Sequence, residues 1–253
     1  MVFGKKCYRI MGNEKFMKEE SLQLYYEKYL KDIRQVSNST ITHYTQALRT
    51  VSKYLVDDRK IQNSIYEIKD IGELEVIKKH LEGNAEFTAL DKRGHQMYST
   101  GLNNYIKFAK GEGFGNIKKK IEIFDEEVPI GKIKTRKSTS LSRSSIIKNQ
   151  SIESAGYQCE YDSNHVTFIS KTTKHMYMEG HHAIPMKFQD KFNYSIDIYA
   201  NIVCLCPICH RLLHYGIASE KDKVLNKIYS ARADRLAACG IRIGKADFKE
   251  LVM

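Results

Sequence analysis

Apolar residues recur at helical spacing through the first half of the chain. Between residues 21 and 34 they follow the i, i+3, i+4, i+7 rule of one helix face: Leu22, Tyr25, Tyr26, Tyr29, Leu30 and Ile33. A second stripe runs from Ile41 to Leu55, behind a polar cluster at residues 37–40 that supplies N-cap candidates. The spacing predicts two helices and indicates that the tyrosines are core residues rather than base-stacking platforms.

Two more helices are predicted before residue 112. Asp70 and Glu73 form a capping-box-like start to a third helix, which ends at Gly83. A fourth stripe occupies residues 97–111 and closes on a glycine. The pattern predicts a small α-helical bundle over residues 18–112, within an N-terminal domain of residues 1–118.

The middle of the chain changes in composition. Residues 128–152 contain no acidic residue but six serines and six basic residues: Lys132, Lys134, Arg136, Lys137, Arg143 and Lys148. Low apolar content with positive charge is typical of a flexible linker, and contact with phosphates is the alternative. We therefore predict a basic, Ser-rich linker over residues 119–150 and a second domain over residues 151–253.

The overall composition is that of a globular protein, with 42% apolar and 28% charged residues. Lys and Arg exceed Asp and Glu by 41 − 30 = 11, a balance that attracts a polyanion such as DNA, RNA or anionic lipid. The sequence shows neither a signal-peptide pattern nor an apolar run of membrane-spanning length, so we expect a cytoplasmic protein and no membrane partner. Because cytosolic thiols stay reduced, clustered cysteines there favour metal binding over disulfides.

Cysteines and histidines concentrate after residue 158. A Cys-x-x-Cys pair at residues 206–209 has the spacing of a structural zinc half-site, and a cysteine followed by a histidine precedes it. The predicted zinc ligands are Cys159, His165, Cys206 and Cys209. Cys204 and Asp162 are alternative ligands, although Cys204 lies in an apolar run and fits a buried thiol better.

Once four ligands are assigned to zinc, four histidines and one asparagine remain as candidate functional residues: His181, His182, Asn201, His210 and His214. His210 and His214 are four positions apart, so they share one face of a helix and can bind one ion. His181 and His182 are adjacent, and in an extended segment their side chains point to opposite sides. One of them can therefore join the metal while its neighbour acts as a general base for water.

Along the chain, two adjacent histidines are followed by an asparagine and then by two further histidines, and the predicted zinc ligands lie before and among them. This order resembles the cysteine-bearing branch of the HNH, or ββα-metal, endonucleases. The resemblance implies that His182 is the general base and that Asn201 orients it. It implies that His181, His210 and His214 hold the catalytic metal. Many members of the family have an aspartate where His181 stands. Since three imidazoles are softer than the oxygen ligands Mg²⁺ prefers, Mn²⁺, Ni²⁺ and Zn²⁺ are candidates beside Mg²⁺.

This resemblance covers residues 155–216 and implies an α+β fold: a helical bundle, then a ββα-metal domain with a structural Zn²⁺ and a C-terminal helix. The N-terminal helices resemble the helical DNA-gripping domain that precedes the catalytic domain of tyrosine recombinases. Together they lead us to expect a host-defence, restriction-type endonuclease that cuts double-stranded DNA, is sequence-specific or modification-dependent, and is dimeric if it cuts both strands. The alternatives are a non-catalytic zinc-containing DNA-binding module and a homing or nicking endonuclease.

Overall fold

The computed structural model describes residues 21–116, 121–130 and 143–253. Within these ranges the protein is a mixed α+β structure, mostly helical, with a small two-stranded antiparallel sheet. The elements are α1 (Ser21–Lys28), α2 (Asn38–Asp57), α3 (Ile71–Glu82), α4 (Ala85–Arg93), α5 (Met97–Ala109), α6 (Ser145–Ser154), β1 (Glu179–His182), β2 (Ile202–Leu205), α7 (Pro207–Tyr215), α8 (Ala218–Ala238) and α9 (Lys245–Val252). Among the described helices, none combines the length and the apolar character required to cross a membrane.

The predicted helix starts are confirmed by their caps. The Ser37 hydroxyl accepts a hydrogen bond from the backbone N–H of Thr40 at the start of α2, and Asp70 accepts one from the N–H of Glu73 at the start of α3. The additional helix α4 was not predicted. It begins directly after α3 because Asn84 caps it, and its apolar pattern is weak, with only one large apolar residue, Phe87, buried.

The tyrosines of the first stripe are core residues, as their spacing predicted. Tyr25, Tyr26 and Tyr29 are fully buried. The Tyr26 ring meets the Tyr105 ring of α5 edge to face, with centroids 5.2 Å apart. Tyr25 also contacts Tyr199, at a centroid distance of 4.7 Å, so the aromatic core continues from the first helices into the C-terminal half.

Part of the basic segment is helical and buried. α6 lies across the end of the predicted linker, and its Ile146 and Ile147 are buried. Gln150 of α6 is fully buried; its amide nitrogen donates to the Phe108 carbonyl and its amide oxygen accepts from the Tyr199 hydroxyl, both at 2.5 Å. α6 is therefore bonded both to α5 and to the residues that precede β2.

The six basic residues of this segment divide between described and undescribed parts of the chain. Arg143 is exposed just before α6, and Lys148 is half-buried within it. The other predicted DNA-binding residues, Lys132, Lys134, Arg136 and Lys137, lie outside the described residues.

The sheet and the helix after it position the polar residues of the C-terminal half. β1 pairs antiparallel with β2, with His181 opposite Val203 and His182 opposite Ile202. Side chains alternate along a strand, so Glu179 and His181 share one face of β1, and His182 lies on the other. Gly180 shares that second face, where a Cβ atom would overlap the side chain of Lys148 in α6.

Candidate metal centres

The first cluster consists of the four residues predicted to bind zinc: Cys159, His165, Cys206 and Cys209. Their ligand atoms all lie within 4.8 Å of one another. His165 Nδ1 is 3.4 Å from the sulfur of Cys206 and 3.4 Å from that of Cys209. A tetrahedral site with Zn–S of about 2.3 Å and Zn–N of about 2.0 Å requires a sulfur–nitrogen distance of about 3.5 Å. The Cys3His cluster is thus compatible with a structural zinc ion.

Local structure prepares this cluster for a metal. Cys206 is the N-cap of α7, and its sulfur accepts a hydrogen bond from the backbone N–H of Cys209 at 3.4 Å. Burial alone raises the pKa of the Cys159 thiol, but backbone N–H groups of Asp162 and Cys206 donate to it and lower the pKa overall. The thiolate, which is the zinc-binding form, is therefore favoured at Cys159.

The two alternative ligands have other positions. Asp162 Oδ2 lies 3.6 Å from His165 Nε2, the ring nitrogen that faces away from the thiols, so it is a neighbour of the cluster rather than a ligand. Cys204 is fully buried in β2 and is not part of the cluster. Burial, and then the nearby charge of Glu160, raise the pKa of its thiol, as expected for a structural cysteine.

The second cluster brings His181 of β1 together with His210 and His214 of α7. The three ring centroids are 4.9 to 5.2 Å apart. His210 Nε2 and His214 Nε2 are 3.2 Å apart, close to the value of about 3.3 Å expected for two imidazoles on one tetrahedral zinc ion. The i, i+4 spacing on α7 and the alternation of β1 produce this arrangement, which could hold a metal ion.

His181 has the burial and the protonation state of a metal ligand. The residue is only 7% exposed, and its buried Nε2 atom has no hydrogen-bond partner among the described residues. Burial, and then the nearby His210 and His214, lower the pKa of His181 to about 3. The imidazole is therefore neutral at neutral pH, which is the form that binds metals.

Glu179 is a residue of this cluster that the sequence analysis missed. Its carboxylate pairs with Nδ1 of His210, and it also accepts a hydrogen bond from the Tyr177 hydroxyl at 3.2 Å. A carboxylate on the outer nitrogen of a metal-binding histidine fixes the ring and makes the other nitrogen a better ligand. Its position two residues before His181, on the same strand face, was a signal in the sequence that could have identified it.

On the other face of β1, His182 pairs with Asp197, also missed by the sequence analysis. His182 Nε2 is 2.9 Å from Asp197 Oδ1, and the carboxylate is 5% exposed. The other carboxylate oxygen accepts the backbone N–H of Ser144 at 2.8 Å and lies 3.9 Å from Lys69 Nζ. The carboxylate is thus held on both oxygens and fixes the orientation of the imidazole.

Asn201, expected to orient His182, makes different contacts. It is fully buried; its Oδ1 accepts from the Ile184 N–H at 2.7 Å, and its Nδ2 donates to the carbonyls of Ile184 and Ile196 at 2.9 and 2.8 Å. An amide side chain both donates and accepts, which the buried backbone here requires. For the imidazole N–H of His182, a carboxylate is a stronger acceptor than a neutral amide, because a hydrogen bond to a charged group is stronger. Asn201 therefore fixes the connection between β1 and β2, while Asp197 contacts His182.

Positive charge surrounds the histidine cluster. The nearby guanidinium of Arg143 contributes to lowering the pKa of both His181 and His214, after the larger effect of burial. Arg211 and Lys221 act on His214 in the same direction. His214 itself is exposed, so the cluster is open to a negatively charged ligand from solvent.

The functional interpretation rests on the two clusters of candidate metal ligands and not on similarity to a known protein. Comparison of the chain with protein-family models, with curated proteins and with solved structures gives no match.

Proposed function

We propose that the protein is a metal-dependent DNA endonuclease of the HNH, or ββα-metal, type that leaves 5′-phosphate and 3′-hydroxyl ends. The observation that carries this proposal is the placement of two kinds of histidine on one four-residue strand. His181 joins a three-imidazole metal cluster, and the adjacent His182 pairs with a buried carboxylate. A structural zinc site alone requires neither feature.

Hydrolysis requires that negative charge be neutralised at the phosphate and that a proton be removed from the attacking water. A phosphodiester resists hydrolysis because its negative charge repels nucleophiles and its leaving alkoxide is poor. His181, His210 and His214 would hold a divalent ion, which would act as a Lewis acid and neutralise part of this charge. Mg²⁺, Mn²⁺, Ni²⁺ and Zn²⁺ are the candidate ions, and the all-nitrogen ligand set favours the last three.

His182 is the general base in this proposal. The Asp197 carboxylate can only accept hydrogen bonds when ionised, so Nε2 of His182 carries the hydrogen and Nδ1 carries a free electron pair. Nδ1 can then take a proton from water, and the carboxylate stabilises the imidazolium that forms. The contacts of Asp197 with the Ser144 N–H and with Lys69 hold the carboxylate in place.

The distribution of charge supports DNA as the substrate. The chain has an excess of 11 basic residues, and Arg143 lies close to the histidine cluster. Basic side chains near the reacting phosphate bind the flanking phosphates and release counterions. A restriction role, with sequence-specific or modification-dependent recognition, is the biological setting we propose, and double-stranded DNA is its target.

The experiment uses the full-length, zinc-loaded protein with modified and unmodified plasmid DNA, in each candidate metal in turn. We expect metal-dependent nicking or linearisation, with ends that a ligase joins directly because they carry 5′-phosphate. The matched control is His182→Ala, which keeps both metal clusters and should bind DNA without cutting it. If the wild-type protein binds DNA but cuts none in any metal, the chain is a zinc-containing DNA-binding module instead.

A further inference from the structure

A groove with a volume of about 810 Å³ opens beside the histidine cluster. One wall is α6, which contributes Lys148, and the opposite wall is the loop of residues 170–178. Glu179 and Gly180 of β1 form part of the lining between them, and His210 lies at the border of the groove. A ligand in the groove is therefore continuous with the candidate metal centre.

Two aromatic rings in the lining are already stacked on neighbours. Tyr157 stacks on His175, with centroids 4.3 Å apart and ring planes 13° apart. Tyr177 stacks on Phe168, with centroids 4.9 Å apart and the same interplanar angle. Rings held in this way are preorganised, so a base that stacks on them costs little side-chain entropy.

The charges of the groove suit a phosphate backbone. Both lining carboxylates are engaged, since Glu153 accepts from the Tyr157 hydroxyl and Glu179 pairs with His210. Lys148 extends along the wall over Gly180, and Thr172 and Thr173 of the opposite wall stand between two exposed lysines, Lys171 and Lys174. Lys110, the other lysine of the lining, pairs with Glu75, so the cations offered to a phosphate are Lys148 in the lining and the two lysines that flank it in the opposite wall.

We infer that this groove binds a short unpaired stretch of one DNA strand next to the scissile phosphate. A groove that combines lysine side chains with aromatic rings is the arrangement by which proteins bind single-stranded nucleic acid. Its volume lies in the range of about 300–1,000 Å³ of small-molecule pockets, which admits a few nucleotides of one strand but not the cross-section of a duplex. The inference rests on the proposed function for the position of the scissile phosphate, but not for the binding itself.

The test measures binding of a short fluorescent single-stranded oligonucleotide to the full-length His182→Ala protein, which leaves the DNA intact. Tyr157→Leu removes one stacking surface and should raise the dissociation constant about 5- to 150-fold. Tyr157→Phe keeps the ring but frees the Glu153 carboxylate, so it should weaken binding much less than Tyr157→Leu does. Lys148→Met keeps the aliphatic stem over Gly180 but removes the charge, and should weaken binding and flatten its salt dependence. Lys92→Met, at an exposed position of α4, is the matched control.

Cleavage by the protein with His182 intact supplies a second readout. A duplex with a few unpaired nucleotides beside the cutting site should be cut faster than the fully paired duplex, and Tyr157→Leu should remove this preference. If Tyr157→Leu and Lys148→Met both bind the single strand like the parent protein, the inference is overturned, even where DNA is cut. If binding depends on Tyr157 but no DNA is cut in any metal, the proposed function fails and the single-strand site stands.

Discussion

Replacing Asp197 with asparagine tests the assignment of the general base most directly. Two N–H groups converge on the Asp197 carboxylate: Nε2 of His182 at 2.9 Å and the backbone N–H of Ser144 at 2.8 Å. Asparagine offers one oxygen and one NH₂ group in nearly the same volume. One of the two N–H groups must then face the NH₂ group, which cannot accept a hydrogen bond. Asp197→Asn therefore removes the acceptor either from Nε2 of His182, whose ring is then no longer held, or from the backbone N–H of Ser144.

The size of the effect follows from the burial of this pair. A hydrogen bond to a charged group contributes about 1.5–3 kcal/mol, and at this site it strengthens as His182 gains its proton. Loss of that contribution in the transition state lowers kcat about 10- to 150-fold. The effect cannot exceed the whole contribution of a general base, which is about 10²- to 10⁴-fold. The dissociation constant for DNA should change little, because Asp197 is buried and does not face the substrate.

The assay is a double-mutant cycle, with single-turnover cleavage measured for the wild type, Asp197→Asn, His182→Ala and the double variant. If Asp197 acts through His182, adding Asp197→Asn to His182→Ala lowers the rate no further. Thermal melting of each variant accompanies the kinetics, since an unpaired buried N–H costs about 1–3 kcal/mol of stability. The reasoning is refuted if Asp197→Asn cuts at the wild-type rate. It is also refuted if the rate reductions caused by the two substitutions multiply in a folded double variant.

The remaining predictions concern the metals. Cys206→Ser and Cys209→Ser should lower the melting temperature and release zinc, because structural zinc stabilises a small unit. His214→Ala should leave the melting temperature nearly unchanged and slow cleavage. Equal losses of melting temperature in all three variants would show that residues have been assigned to the wrong metal site. Glu179→Gln should weaken the affinity of the histidine cluster for metal about 10- to 100-fold, as measured by metal titration, and an unchanged affinity would contradict the role of the carboxylate. His182→Ala should slow single-turnover cleavage about 10²- to 10⁴-fold but keep DNA binding in a gel-shift assay, and cleavage within a few-fold of wild type would exclude His182 as the base.

The sequence predicted best what depends on spacing. The i, i+4 pair on α7 and the alternation along β1 are local rules, so a cluster of His210, His214 and one of the two adjacent histidines could be anticipated from residue positions. The choice of His181 rested on the resemblance to HNH endonucleases. The Cys-x-x-Cys spacing predicted half of the Cys3His cluster, and the cysteine and histidine that precede it completed the predicted set. The resemblance to HNH endonucleases and the three-part domain division stay predictions, because they concern relations that residue spacing in one chain does not establish.

The contacts that were missed depend on how irregular segments fold. Asp197 lies 15 positions after His182, beyond a short 3₁₀ helix (Met186–Lys191) and irregular segments, so no single period connects the two. α6 was hidden by its composition, since its buried face combines Ile146 and Ile147 with Gln150 and serines, and serine-rich basic segments are typical of linkers. Tertiary burial decided both cases, and a local pattern does not encode it.

The contacts around His182, the proposed general base, also connect parts of the chain that lie far apart in the sequence. Lys69, from the segment before α3, and the backbone of Ser144, the N-cap of α6, both contact the carboxylate that holds His182. Gln150 then bonds α6 to α5 and to Tyr199, two residues before Asn201. Because a general base works only when its ring is held in one orientation, the residues that fix His182 include some outside residues 151–253. The first half of the chain, through Lys69 and α5, therefore contributes to the geometry around His182.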